Sequence, residues 1–80
     1  MRTLYLKEQG AKVGRRGRRL VVTKDEQELL DVPIHRLTRL VLTGRIHITA
    51  HAMALLLDRG VPLVMTTKRG RFRGVLCPAE

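Results

Sequence analysis

The apolar residues of this chain come in short runs, nearly all stopped by a glycine or a brief polar turn. That rhythm suits strands and leaves room for a single helix. Thr3-Leu4-Tyr5-Leu6 reads as a strand broken at Glu8-Gln9-Gly10. Residues 11–16 and 18–23 form a hairpin around Gly17, because such turns usually need one positive φ, which a Cβ penalises. A second polar turn at 24–27 leads into Glu28-Leu29-Leu30-Asp31-Val32. Pro33 has no N–H for a ladder, so this strand ends there or lies at an edge. Residues 34–37 form a connector of one helical turn. Arg39-Leu40-Val41-Leu42 is a buried strand closed by Gly44. Arg45-Ile46-His47-Ile48 alternates, with isoleucines to the core and basic residues to the other face.

Thr49 suits an N-cap, since its hydroxyl can accept from the unpaired amides of a first turn. The helix behind it spans 50–59, with Met53, Leu56 and Leu57 as its buried stripe and Gly60 as its left-handed stop. Residues 61–66 and 71–76 make a last hairpin that turns at Lys68-Arg69-Gly70, with Phe72 directed inward between Arg71 and Arg73. Pro78-Ala79-Glu80 follows that strand directly and reads as a linker. These elements predict an α+β fold, mainly β: a small antiparallel, hairpin-rich domain with one packed α-helix, covering residues 1–80. Eighty residues supply one core only. A domain of this size buries only about 60% of its unfolded surface, which leaves room for an unused partner surface. Tyr5 and Phe72 are the only aromatics, so the core is built from Leu, Val and Ile.

Sixteen Lys and Arg against seven acids give a formal charge of +9, pointing to polyanions and above all to nucleic acid. The plainer reading is a basic surface that only keeps the protein soluble. Lys12, Arg15, Arg16, Arg18 and Arg19 form a cluster uninterrupted by acid, on a hairpin whose side chains splay from the sheet. Arginine's planar fork matches phosphate oxygens in pairs; the same charges also protect a sheet edge from aggregation. Arg45 and His47 extend this candidate nucleic-acid surface. A second cluster, Lys68, Arg69, Arg71 and Arg73, sits on the last hairpin.

Active-site chemistry finds little support. His47 and His51 straddle a strand-to-helix boundary with no Cys, Asp or Glu at ligand spacing, and His35 is isolated. Asp25, Glu26, Glu28 and Asp31 crowd one turn and strand, far from any glycine-rich phosphate loop. No Walker sequence and no nucleophilic triad is present. We therefore expect no catalytic residue, metal site or cofactor in this chain. Cys77, the single cysteine, excludes an internal disulfide and suits a reducing cytoplasm. No apolar run approaches the roughly 18–20 residues of a spanning helix. The expectation is a cytoplasmic protein with no membrane partner.

The order of these features resembles the opening of CRISPR-associated integrases. Thr3-Leu4-Tyr5-Leu6, Glu8-Gln9-Gly10 and a glycine-turn hairpin ending Arg19-Leu20-Val21-Val22 come first. Val32-Pro33-Ile34-His35-Arg36-Leu37 and Leu40-Val41-Leu42-Thr43-Gly44 follow. Ile48-Thr49 through Leu55-Leu56-Leu57-Asp58-Arg59-Gly60-Val61-Pro62-Leu63, then Lys68-Arg69-Gly70-Arg71-Phe72-Arg73-Gly74, complete the series. The resemblance implies an N-terminal β-rich domain of an endonuclease and integrase that captures foreign DNA as new spacers. It also implies a separate helical domain, absent here, carrying the Glu, His and acidic ligands of Mg or Mn. The β-domain of such proteins serves homodimerisation and the holding of a DNA duplex, beside a small adaptation partner protein. An aromatic braces the duplex end in some members; Glu8-Gln9 stands at the comparable place here, so that role is not carried over.

Two other readings compete with this one. A free-standing RNA- or DNA-binding β-domain would normally offer several stacking aromatics. A structural assembly domain would carry its charge incidentally.

Overall fold

The structure, a computed structural model, describes residues 2–78. Ala79 and Glu80, the end of the linker-like tail, lie outside that range. The strands are β1 (Arg2–Leu6), β2 (Lys12–Arg16), β3 (Arg19–Lys24), β4 (Gln27–Pro33), β5 (Leu37–Thr43), β6 (His47–Ile48), β7 (Leu63–Thr66) and β8 (Phe72–Leu76). One 3₁₀ turn (Ile34–Arg36) joins β4 to β5, and the helix α1 (Ala50–Asp58) follows β6. The α+β, mainly β class holds.

Two four-stranded sheets face each other, ordered β1-β5-β7-β8 and β4-β3-β2-β6. The hairpins β2/β3, β3/β4 and β7/β8 are antiparallel as expected. The pairings β1/β5, β5/β7 and β2/β6 are parallel, which local hairpin signals do not reveal. They arise because the chain leaves β1, builds three strands of the other sheet, and returns beside β1. It then visits β2 through β6 and crosses back along α1 to β7. Parallel neighbours need such crossovers.

Between the sheets lies an aliphatic core of Leu6, Leu40, Leu42 and Leu63 from one side and Val13, Leu20 and Val22 from the other. The helix contributes Ala52, Leu55 and Leu56. This stripe is displaced by one residue from the expected Met53, Leu56 and Leu57. Ala52, fully buried, lets the helix approach β2 closely, and the Thr49 amide donates to the Val13 carbonyl at 3.0 Å. Met53 packs at the margin of the core. Thr49 is the N-cap, its Oγ1 accepting from the Ala52 amide at 3.1 Å, and Gly60 ends the helix at φ +71°.

Two further expectations change. The alternating strand at 45–48 shrinks to His47 and Ile48, although Ile46 and Ile48 do pack on the core. Phe72, expected inward, is 64% exposed. The β7/β8 register pairs Met65 with Gly74 and then Thr66 with Phe72, leaving Arg73 unopposed. That one extra residue is a bulge, and it turns Phe72 to the face opposite Leu76.

Candidate nucleic-acid interface

The β2/β3 register decides which arginines are free. Arg16 stands opposite Arg19 and Arg15 opposite Leu20. Two arginines facing each other repel, and the neighbouring edge strand β4 resolves this. Its register places Asp31 opposite Val21 and Glu28 opposite Thr23, on the same outer face as Arg16 and Arg19. The Asp31 carboxylate accepts from Arg19 Nε at 2.7 Å and lies 3.5 Å from Arg16, whose other terminal nitrogen donates to Glu28 at 3.1 Å. Arg16 is 63% exposed, so the pairs add little stability; exposed pairs are worth about 0–1 kcal/mol each. Their effect is electrostatic: two of the five clustered cations are already answered by carboxylates.

Lys12, Arg15 and Arg18 are not so answered. All three are exposed, and no ion pair involves them among the described residues. Arg15 donates its Nε to the Gly17 carbonyl at 2.7 Å, which holds the side chain over the turn and uses only one nitrogen of the fork. Gly17, at φ +62°, occupies the first position of the two-residue turn. Lys12 and Arg15, with Gly14, Gly17, Thr49 and His51, line an open cleft of about 430 Å³ between the hairpin and the start of α1. His51 thus joins the basic hairpin, a neighbour that sequence spacing did not disclose. His47 lies beside Lys12 through the parallel β2/β6 pairing.

Arg45 belongs elsewhere. It precedes β6, and its backbone is held by Gln9: the amide donates to Gln9 Oε1 at 2.7 Å, while its carbonyl accepts from the Gly10 amide at 2.8 Å. Its groove, about 220 Å³, is shared with Gln9, Gly44, Thr67, Lys68 and Arg73. The surface read as one from sequence therefore divides in two. Lys12, Arg15, Arg18, His47 and His51 gather at the hairpin and helix, and Arg45 gathers with the last hairpin's cations.

Gln9 has a structural role as well. Its Nε2 donates to the Thr43 carbonyl at 2.8 Å and to the Lys7 carbonyl at 3.0 Å, so one side chain ties the ends of β1 and β5 to the start of β6. Among the described residues no ligand set is gathered for the Mg or Mn that the family resemblance implies. Glu28 and Asp31 are engaged by arginine, and no group of three or more His, Cys, Asp or Glu converges among the described residues. No helix among the described residues is long and apolar enough to cross a membrane.

Comparison with known proteins accords with this architecture. Residues 4–80 match the family described as CRISPR associated protein Cas1. The chain is 30% identical over 73 residues to the CRISPR-associated endonuclease Cas1 1 of Thermus thermophilus, covering 91% of this chain and 23% of that protein. Among solved structures it is similar to a partial Cas6-RT-Cas1–Cas2 complex, with a TM-score of 0.91 and 22% identity over 99% of this chain and 24% of that one. It is also similar to a Cas1 protein from Thermotoga maritima, with a TM-score of 0.87 and 16% identity over all of this chain and 24% of that one. A TtCas1–DNA complex matches at a TM-score of 0.82 and 23% identity, over 95% and 28% of the two chains. These structural likenesses establish a shared fold, and the chain spans about a quarter of the length of the relatives it matches. The family profile, reaching across nearly every described element, agrees with the ordered motifs of the sequence: the chain belongs to the Cas1 family of CRISPR-associated proteins.

Proposed function

We propose that this chain is the N-terminal β-domain of a CRISPR-associated endonuclease and integrase. In this reading it holds duplex DNA and pairs with a second copy in the cytoplasm, while metal-dependent chemistry belongs to a separate helical domain and a small adaptation protein completes the assembly. The observation that carries the reading is the gathering of Lys12 and Arg15 beside His51, with Arg18 on the adjoining turn, all three without an ion pair among the described residues, against the neutralised Arg16 and Arg19. Backbone contacts of this kind hold a duplex without reading its bases. Support also comes from the names of its relatives, one an endonuclease and one solved with DNA.

Self-association fits the open edge of β8, which ends its sheet and carries Arg73 as its only charged residue. Sedimentation at micromolar concentration should report a dimer, and a monomer throughout the accessible range would remove this half of the proposal.

Duplex binding is tested by fluorescence anisotropy over a salt series. Each phosphate neutralised contributes about −0.9 to the slope of log affinity against log salt, so three contacts give roughly −2.7. The triple change Lys12→Ala, Arg15→Ala and Arg18→Ala should flatten the slope, and Arg16→Ala with Arg19→Ala should alter it far less. Equal effects from both variants, or no binding at low salt, would refute the assignment.

A further inference from the structure

Among the described residues nothing packs over the outer face of the β1-β5-β7-β8 sheet, which carries both aromatics of the chain. The register aligns Tyr5, Val41, Val64 and Val75 across all four strands, and the β8 bulge places Phe72 beside Thr66 on the same face. Tyr5 is 62% exposed, Phe72 64% and Val75 49%. Val41 is buried yet stands apart from the central core, so it forms the floor of this surface. Thr43 and Thr66 join across it by an Oγ1–Oγ1 hydrogen bond of 3.1 Å. A groove of about 400 Å³ runs between Tyr5 and the 68–70 turn, bordered by Lys7, Lys68 and Arg69. Arg39, paired with Thr3, adds a fourth cation on the Val41 side of its strand.

An apolar face of this kind calls for an occupant, and its border says which. Lys7, Lys68, Arg69 and Arg39 are all cationic, and none takes part in an ion pair among the described residues. The described acids are engaged or placed elsewhere: Glu28 and Asp31 on the other sheet, Glu8 toward Lys24, Asp25 and Glu26 in the β3/β4 turn, Asp58 at the end of α1. A second copy laid face to face would oppose cation to cation. A polyanion with apolar faces fits both features.

We infer that this sheet face binds an unpaired nucleic-acid strand, stacking bases on Tyr5 and Phe72 and holding phosphates with Lys7, Lys68 and Arg69. The inference rests on the nucleic-acid reading above and extends it to a second surface and a different form of substrate. The two aromatics stand on the two edge strands of the sheet. Three strand spacings across the sheet and a two-residue offset along it separate them by about 16 Å, whereas stacked bases of a duplex strand advance about 3.4 Å. A strand reaching both rings therefore has its bases unstacked and spread over Val41 and Val64. Along its length a duplex turns its bases inward, away from the rings, and its terminal pair could meet only one of them.

The test compares a labelled oligothymidylate with a duplex of matched length on the 80-residue chain. Both rings are exposed, so Tyr5→Ala and Phe72→Ala should leave the circular dichroism and the melting temperature close to unchanged. Each should weaken the single strand by about 5- to 150-fold, the range for losing one stacked base, and should leave duplex affinity within about two-fold. The chain contains no Trp, so Phe72→Trp places one reporter on the face. Its fluorescence should be quenched by the oligothymidylate and unaffected by the duplex or by inorganic phosphate. Equal losses for single strand and duplex, or an unquenched Trp, would overturn the inference while leaving the hairpin assignment intact. So would loss of the dimer in sedimentation with single-strand affinity unchanged, which would make the face a self-interface. Loss of hairpin-dependent duplex binding alone would instead remove the earlier proposal.

Discussion

Replacing Gly44 by alanine tests how the two sheets are joined. Gly44 lies at φ +83°, and a Cβ there would come within 2.7 Å of Gln9 Cδ. Two costs follow. Holding a residue with a Cβ at positive φ costs about 1 kcal/mol. Displacing the Gln9 amide breaks its bonds to the Thr43 and Lys7 carbonyls and to the Arg45 amide, a further 1–2 kcal/mol at about 0.5–1.5 kcal/mol per net hydrogen bond, with water replacing part of the loss. The sum is about 2–3 kcal/mol, a large share of the roughly 4–12 kcal/mol expected of a domain this size. It corresponds to a melting temperature lower by about 8–24 °C. The Gln9→Ala background separates the two costs. There the obstructing amide is gone, so Gly44→Ala should cost only the backbone contribution, about 1 kcal/mol. The double variant should be less destabilised than the sum of the singles by about 1 kcal/mol, well beyond the 0.3–0.5 kcal/mol scatter of independent sites. Urea and thermal unfolding followed by circular dichroism measure all four corners of the cycle. Strict additivity, or a Gly44→Ala cost below about 0.5 kcal/mol, would refute the stapling role of Gln9.

Removing the carboxylates of β4, with Glu28→Gln and Asp31→Asn together, should release Arg16 and Arg19 to phosphate and steepen the duplex salt slope by up to about 1.8; an unchanged slope in anisotropy would count against the competition. Thr49→Ala removes the only side-chain cap of α1 and should cost about 1 kcal/mol in urea unfolding. Leu55→Ala empties a buried site where helix meets core and should cost about 2–5 kcal/mol, leaving a largely unfolded circular dichroism spectrum if the domain lies at the low end of its expected stability. Incubation of the chain with duplex or branched DNA and Mg or Mn should leave the substrate intact, because phosphodiester hydrolysis needs a ligand set that the described residues do not assemble; turnover that survives repurification and vanishes with Asp25→Ala or Glu28→Ala would overturn this.

Much of the fold was legible because its signals are local. Gly17 needs positive φ, Thr49 caps the helix, Gly60 stops it and Pro33 ends an edge strand, and each of these acts within a few residues of itself. The ordered motifs identified the family for the same reason, since they survive as short patterns along the chain. The candidate site was legible only as composition: the cationic residues were visible, their partners were not. Asp31 lies twelve residues beyond Arg19, and only the β3/β4 register brings the two within 2.7 Å.

The amino-acid sequence by itself determined the order and approximate places of the strands and the helix, that the core is aliphatic, and that the surface is strongly cationic. Those properties follow from backbone preference, side-chain size and charge, which belong to residues one at a time. Only the tertiary structure decided the parallel pairings, the division of Arg45 from the hairpin cluster, the pairing of Arg16 and Arg19 with carboxylates, and the outward direction of Phe72. The first two depend on chain crossovers and on the Gln9 contacts, the last two on strand register, and in a two-sided strand a single unopposed residue, here Arg73, sends a side chain to the opposite face.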